Sequence, residues 1–265
     1  MGKLIGKKIE LGELNLFTTQ YESGHTFSPH YDRQYRISVV LSGSLREESS
    51  FGIEEASPFS LVTKPANLKH SNCFGPHDTK LLSVELSPKL LEAPDRNSDL
   101  LHDYNWLHVN YNFKSVIALL KALHTKPKTK FGKQLIRERI ELLLDTLADV
   151  SQPQDKKPPV WLERIKQQLI EESNAKKSVK ALATSAGKHP THLTRWFKRY
   201  YGCTVTGFQQ RMRLKNAAKA LTTSDRSLTN IALDSGFYDQ SHFCRIFHNR
   251  LDSSPGKYRG LVKVG

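Results

Sequence analysis

Cysteine, methionine and long apolar runs are what this 265-residue chain has least of. Its three cysteines, Cys73, Cys203 and Cys244, are odd in number and widely scattered. That excludes a disulfide framework and the close ligand spacing of a zinc site. Thiols of this kind fit a reducing compartment, and a cytoplasmic location is expected. No run of about 18 apolar residues occurs, so no transmembrane helix is expected. Met1 to Glu10 carries lysines without a continuous apolar stretch, which does not make a secretory signal. Gly2 does not open a myristoylation site, because residue 6 is Gly rather than Ser or Thr. Hydrophobic residues at 38% and charged residues at 25% suffice for a buried core and argue against disorder.

Acidic residues are also scarce, and their scarcity is local. The net charge is +14. Residues 158–265 hold 19 Lys and Arg against 7 Asp and Glu, whereas residues 1–157 hold 21 against 19. A basic unit joined to a near-neutral one suits an anionic partner for the first and a different task for the second. Charge alone leaves nucleic acid and an anionic membrane equally open.

The segment Ser151 to Pro159 contains three prolines among charged and polar residues, the composition of a stiff, exposed connector. It divides the chain into residues 1–150, a linker at 151–159, and residues 160–265. The first part is expected to be α+β. Short strands such as Tyr35 to Leu41, Phe59 to Thr63 and Leu81 to Leu86 fill residues 1 to about 95. Helices follow at about 112–124 and 132–149, with apolar stripes Val116, Leu119, Leu120, Leu123 and Ile136, Ile140, Leu143, Leu144, Leu147. These helices could carry a homodimer or pack on the strands.

The second part is expected to be all-helical, and it repeats with a period near 50 residues. In the first copy Val179, Leu182, Ala183 and Ala186 share one helix face. Gly187 follows where a left-handed turn is needed. Pro190 suits the start of the next helix, and Leu193, Trp196, Phe197 and Tyr200 give its apolar side before Gly202. In the second copy Leu228, Ile231, Ala232 and Ser235 precede Gly236, Asp239 is the expected N-cap, and Phe243, Ile246 and Phe247 follow. Two short helices about a glycine turn define a helix-turn-helix, whose second helix enters the major groove. The polar faces are the candidate DNA contacts: His189, Thr191, His192, Thr194, Arg195 and Lys198 in one helix, Gln240, Ser241, His242, Cys244 and Arg245 in the other. Arginine can fork onto guanine and glutamine onto adenine; a phosphate contact or a solvated face is the plain alternative for any one of them. Thr204 to about Leu221 reads as one helix of about 27 Å, close to the roughly 34 Å of one DNA turn.

The residues Leu182-Ala183, Gly187, His192 to Lys198, Gly202, Arg213-Leu214, Ala217 and Leu221 resemble the AraC/XylS regulators. So do Ile231-Ala232, Gly236-Phe237, Ser241 to Phe247, Ser254-Pro255 and Tyr258-Arg259. The resemblance covers about Trp161 to Arg259. It implies a sequence-specific transcription regulator, not an enzyme, with base discrimination mainly on the first recognition helix and more phosphate contacts on the second. His248 stands where the family commonly has Lys, and Pro190 is unusual there. Double-stranded promoter DNA is the implied partner and no membrane is expected; a small-molecule effector, RNA polymerase and a second copy of the chain are further candidates.

The N-terminal half resembles the cupin-like sensory domains fused to such regulators, through Pro29 to Asp32 with Val39 to Ser44, and Pro65 to Asn72, which implies a β-barrel over about residues 1–95 followed by the two helices. His30, Asp32 and His70 could form a two-His, one-carboxylate metal triad, although no Glu follows at the cupin spacing. The preferred reading is a metal-free pocket, with His25, His30, Tyr35 and His70 as candidate ligand contacts, or a dimerisation scaffold. No cofactor is expected. A cupin metalloenzyme with a basic appendage and a non-specific architectural DNA binder are the alternative classes.

Overall fold

The computed structural model describes residues 5–91, 103–108, 113–125, 127–148 and 157–263. Most of the expected connector (151–156) lies outside them, as do the expected barrel's extremities at 1–4 and 92–95 and helix positions 112 and 149. Ten strands are described: β1 (Ile5–Glu10), β2 (Leu14–Tyr21), β3 (Thr26–Tyr31), β4 (Tyr35–Ser42), β5 (Leu45–Ser49), β6 (Gly52–Ala56), β7 (Leu61–Lys64), β8 (Lys69–Phe74), β9 (Thr79–Leu86) and β10 (Asn105–Leu107). They form two antiparallel sheets, in the orders β1-β2-β9-β4-β7-β10 and β3-β8-β5-β6. A short helix α1 (Pro88–Leu91) and two longer ones, α2 (Lys114–Leu123) and α3 (Lys130–Ala148), complete the mixed half.

The central strands of the large sheet, β4, β7 and β9, are buried on both faces. In β4, Ile37, Val39 and Leu41 face the helices, while Val40 packs between the sheets with Leu45, Ala56, Phe74 and Leu81. The expected strand at Phe59 starts at Leu61 instead. Phe59 takes a left-handed φ of 70°, which a bulky residue seldom adopts, and its ring reaches Phe113 and Tyr258 at 4.3 and 5.7 Å.

The helical half contains α4 (Val160–Glu171), α5 (Val179–Ser185), α6 (Pro190–Tyr201), α7 (Val205–Thr223), α8 (Leu228–Asp234), α9 (Gln240–Leu251) and α10 (Pro255–Lys263). Its core is split. Leu162, Leu182, Leu193, Phe197, Phe208 and Met212 enclose the first hairpin in a cluster of its own. Ile231, Phe243, Phe247, Tyr258 and the far end of α7 instead join one core with α2, α3 and the large sheet. Tyr258 is fully buried and its hydroxyl donates to the Leu41 carbonyl at 2.9 Å. The second hairpin is thus welded to the mixed half, and α7 has one end in each core.

Candidate nucleic-acid interface

Each hairpin turn is built by the same backbone bonds. In the first, the Gly187 and Lys188 amides donate to Thr184 and Ala183 at 3.0 and 2.9 Å; in the second, Gly236 and Phe237 donate to Leu233 and Ala232 at 3.0 Å each. This pattern closes the last helical carbonyls and needs a left-handed residue. Gly187 (φ 62°) and Gly236 (φ 80°) supply it. The helices that follow, α6 and α9, both run 12 residues. His189 caps α6 by accepting from Thr191, with Pro190 in the first turn, and Asp239 caps α9 by accepting from His242 at 2.7 Å. Both end on a left-handed residue, Gly202 or Asp252.

On α6, His189, Thr191, Thr194, Arg195 and Lys198 are exposed, whereas Leu193 and Phe197 are fully buried. His192 is half-buried. Its ring lies 5.4 Å from Trp161 and 5.1 Å from Trp196, in an aromatic ladder that continues to Tyr200. On α9, Gln240, Ser241 and Arg245 are exposed. The Thr229 hydroxyl donates to the Gln240 side-chain carbonyl at 2.6 Å, which leaves the amide NH₂ directed elsewhere. His242 is half-buried against Phe237. Cys244 packs partly into the shared core, and burial pushes its thiol pKa up. Tyr238, 86% exposed beside the α9 cap, was not among the expected contacts; the Gly-Phe-Tyr-Asp run that places it in the turn is its only sequence signal.

The α7 strut has 19 residues, or about 28 Å at 1.5 Å each. Arg213 fixes it to the loop before α5 through the Ser173 and Ala175 carbonyls at 3.3 and 3.1 Å. Arg259 donates to the Leu221 and Arg226 carbonyls at 3.0 and 2.8 Å, closing its C-terminal end. The Pro255, Tyr258 and Arg259 signature is therefore structural.

The interior between the sheets holds a polar cluster. Lys64 donates to Glu47 Oε2 at 2.8 Å and approaches His70 Nε2 at 3.0 Å and Asp32 Oδ2 at 3.9 Å. Glu47 is fully buried and also accepts from Asn72 (2.8 Å) and Tyr104 (3.2 Å). His70 donates from Nδ1 to the Leu68 carbonyl at 2.9 Å, leaving Nε2 to accept from Lys64. Burial, then the Lys64 charge, lowers its pKa, in keeping with a neutral ring. His30 lies against His70, ring centroids 4.4 Å apart, and bonds the Ser28 carbonyl. The His30, Asp32 and His70 set does not fit a metal: the Lys64 ammonium already occupies the cation's place. Among the described residues no group of three His, Cys, Asp or Glu could hold one. Glu47, missed in the sequence, shares the inward face of β5 with Leu45 through simple alternation. His25 belongs to an aromatic group with Tyr21, Phe27 and Phe74. Tyr35 does not line this interior; it packs with Ile37 and Val39 on the opposite face of β4, because strand side chains alternate.

Two glycine-turned hairpins on one strut, with basic and amide side chains facing outward, define a double helix-turn-helix DNA-binding protein. Residues 182–260 match the family model of a helix-turn-helix domain. Over 82 residues the chain is 30% identical to the regulatory protein SoxS of Escherichia coli, covering 31% of this chain and 77% of that one. The chain belongs to the AraC/XylS family of transcriptional regulators. It is also 38% identical over 81 residues to the probable transcription factor PqrA of Proteus vulgaris, covering 31% of this chain and 66% of PqrA. It spans 29% of a Haemophilus influenzae regulator to which it is 33% identical over 86 residues. ToxT of Vibrio cholerae aligns over 94% of this chain and 99% of its own, at 12% identity and a TM-score of 0.40, too low for any side-chain position to be carried across. Among the described residues no helix is long and apolar enough to cross a membrane.

Proposed function

We propose that this regulator reads promoter DNA sequence-specifically, and that residues 1–150 govern how residues 160–265 engage it, with 151–159 as the connector. The duplicated hairpin with its two exposed outer faces carries this reading. Arg195 and Arg245 offer the two-donor fork that suits guanine, and the free amide end of Gln240 suits adenine. His189, Thr191, Thr194, Lys198 and Ser241 suit phosphates and nearby base edges. His192, His242 and Cys244 serve mainly to pack the helices, and Tyr238 adds an apolar contact to thymine methyl or sugar.

A small polar effector is read into the barrel interior. There Asp32 Oδ2 and Arg36 Nε are buried without hydrogen-bond partners, and a ligand with one donor and one acceptor would satisfy both. His30 and His70 border that space. A regulatory rather than enzymatic role is supported by the company of transcription factors and by the ammonium at the cupin metal position. Phe131 and Leu142, exposed at 72% and 43%, share the outward face of α3 by their i, i+11 spacing and support a homodimer; RNA polymerase is the further partner an activator would meet. The split core makes the response asymmetric: a shift in the barrel reaches the second hairpin directly, and the first through α7.

The test is selection of bound genomic fragments by the purified full chain, followed by fluorescence anisotropy. A recovered operator is expected to bind at least ~10³-fold tighter than random DNA at physiological salt. Equal affinities, with salt carrying the whole effect, would assign the chain to the architectural binders instead.

A further inference from the structure

We propose a second ligand site, for a small organic anion with an apolar body, in the cleft where β1, β9, α2 and α3 meet the end of α10. The cleft has a volume of about 1040 Å³, at the upper limit of small-molecule sites. Lys7, Lys8, Lys80, Lys128 and Lys133 line it, against one lining carboxylate, Glu10. Glu10 is already bonded to Lys8 at 2.7 Å. The Lys7 charge is felt at Lys80, and an anion in a cleft lined by several ammonium groups relieves their mutual repulsion.

Lys80 is the strongest single sign. It is 7% exposed, it donates to the Val262 carbonyl at 2.9 Å, and no carboxylate pairs with it among the described residues. A buried ammonium needs compensation, and among the described residues the Val262 carbonyl is the one partner for its three N–H donors. Burial accordingly lowers its pKa. The aliphatic walls Ile9, Leu120 and Leu261 distinguish the complement from a bare ion or a duplex backbone. Lys80 is flanked in β9 by inward-facing Leu81, so this cleft lies across the large sheet from the barrel interior and is separate from the effector space described above.

The cleft also touches the DNA-binding half. Leu261 forms one wall, His124 contacts the Leu261 carbonyl at 3.3 Å, and α10 carries the buried Tyr258. An anionic head group drawing on Lys80 competes with the Val262 carbonyl and loosens that tether. This consequence for regulation rests on the reading of the chain as a DNA-binding regulator; the binding itself does not.

Isothermal titration of the full chain with 4-butylbenzoate, 4-butylphenyl phosphate and the uncharged 4-butylbenzyl alcohol tests the site. At least one anion is expected to bind once per chain, tenfold or more tighter than the alcohol; the better head group tells carboxylate from phosphate. Charge reversal of two exposed lining residues, Lys7→Glu with Lys128→Glu, should weaken it at least tenfold with the melting curve retained. The same reversal outside the cleft, Lys69→Glu with Lys89→Glu, should not. No advantage of either anion over the alcohol, or equal losses in both double variants, overturns the site. DNA affinity without added anion is measured alongside. A chain that binds the anion and no DNA sinks the regulator reading and leaves the cleft standing.

Discussion

Alanine at the two turn glycines tests the hairpin geometry, because the two positions share a conformation and differ in surroundings. Gly187 and Gly236 sit at φ 62° and 80°, so either substitution costs about 1–2 kcal/mol of left-handed strain. A Cβ at 187 would meet no atom within 4 Å. A Cβ at 236 would overlap the Asn174 carbonyl oxygen and stand 3.0 Å from its carbonyl carbon. That backbone cannot easily retreat: Arg213 holds the carbonyls on either side of it, and Asn216 donates to the Asn174 side chain at 2.9 Å. Overpacking against fixed atoms adds about 1–3 kcal/mol. Gly187→Ala should therefore lose about 1–2 kcal/mol, and Gly236→Ala about 2–5 kcal/mol. Urea denaturation followed by circular dichroism reads the difference. Equal losses, or the larger one at 187, would refute the reasoning. Gly187→Val should exceed Gly187→Ala, since β-branching tightens the same strain.

Three further outcomes are expected. Arg195→Ala should cost about 1–3 kcal/mol on the selected operator and relax preference at one base; an equal loss on random DNA in anisotropy titrations would make Arg195 a phosphate contact only. Lys64→Met strands the fully buried Glu47 carboxylate and should destabilise by about 3–5 kcal/mol. Adding Glu47→Gln should restore much of it, and a double variant no better than the single would mean the two are not partners. Lys215, whose ammonium is enclosed near Ser60 at 3.3 Å, has its pKa pushed from 10.5 down to about 8 by burial. Between those values the unfolded chain binds the extra proton, so stability should rise from about pH 8 to 10.5 and gain nothing from this group below pH 8. Lys215→Met should be more stable at pH 7 and lack that share of the rise; an identical pH dependence of the urea midpoint would show the ammonium to be hydrated.

The helical half was legible because its determinants are local. Glycine at a left-handed turn, a capping Ser, Thr or Asp, and apolar residues three and four apart act within one or two turns of chain. The hairpins, the strut and most of the exposed polar faces follow from them, down to the Asp239 cap. The stripes of α2 and α3 were equally plain: Ile136, Ile140, Leu143, Leu144 and Leu147 are all buried.

The sequence by itself thus determined the helices of the two hairpins and the strut, the strand-rich character of the first half, and which helical faces stay polar, since short-range sterics and periodicity are written in neighbouring residues. Only tertiary packing decided which buried faces meet. Tyr258 reaches the Leu41 carbonyl across 217 positions, welding the second hairpin to the barrel while the first keeps its own core. Lys64 enters the cluster of His30, Asp32, Glu47 and His70, and Lys7, Lys80 and Lys128 gather around one cleft, because strands far apart in the chain become neighbours. A side chain's local pattern cannot say what stands opposite it.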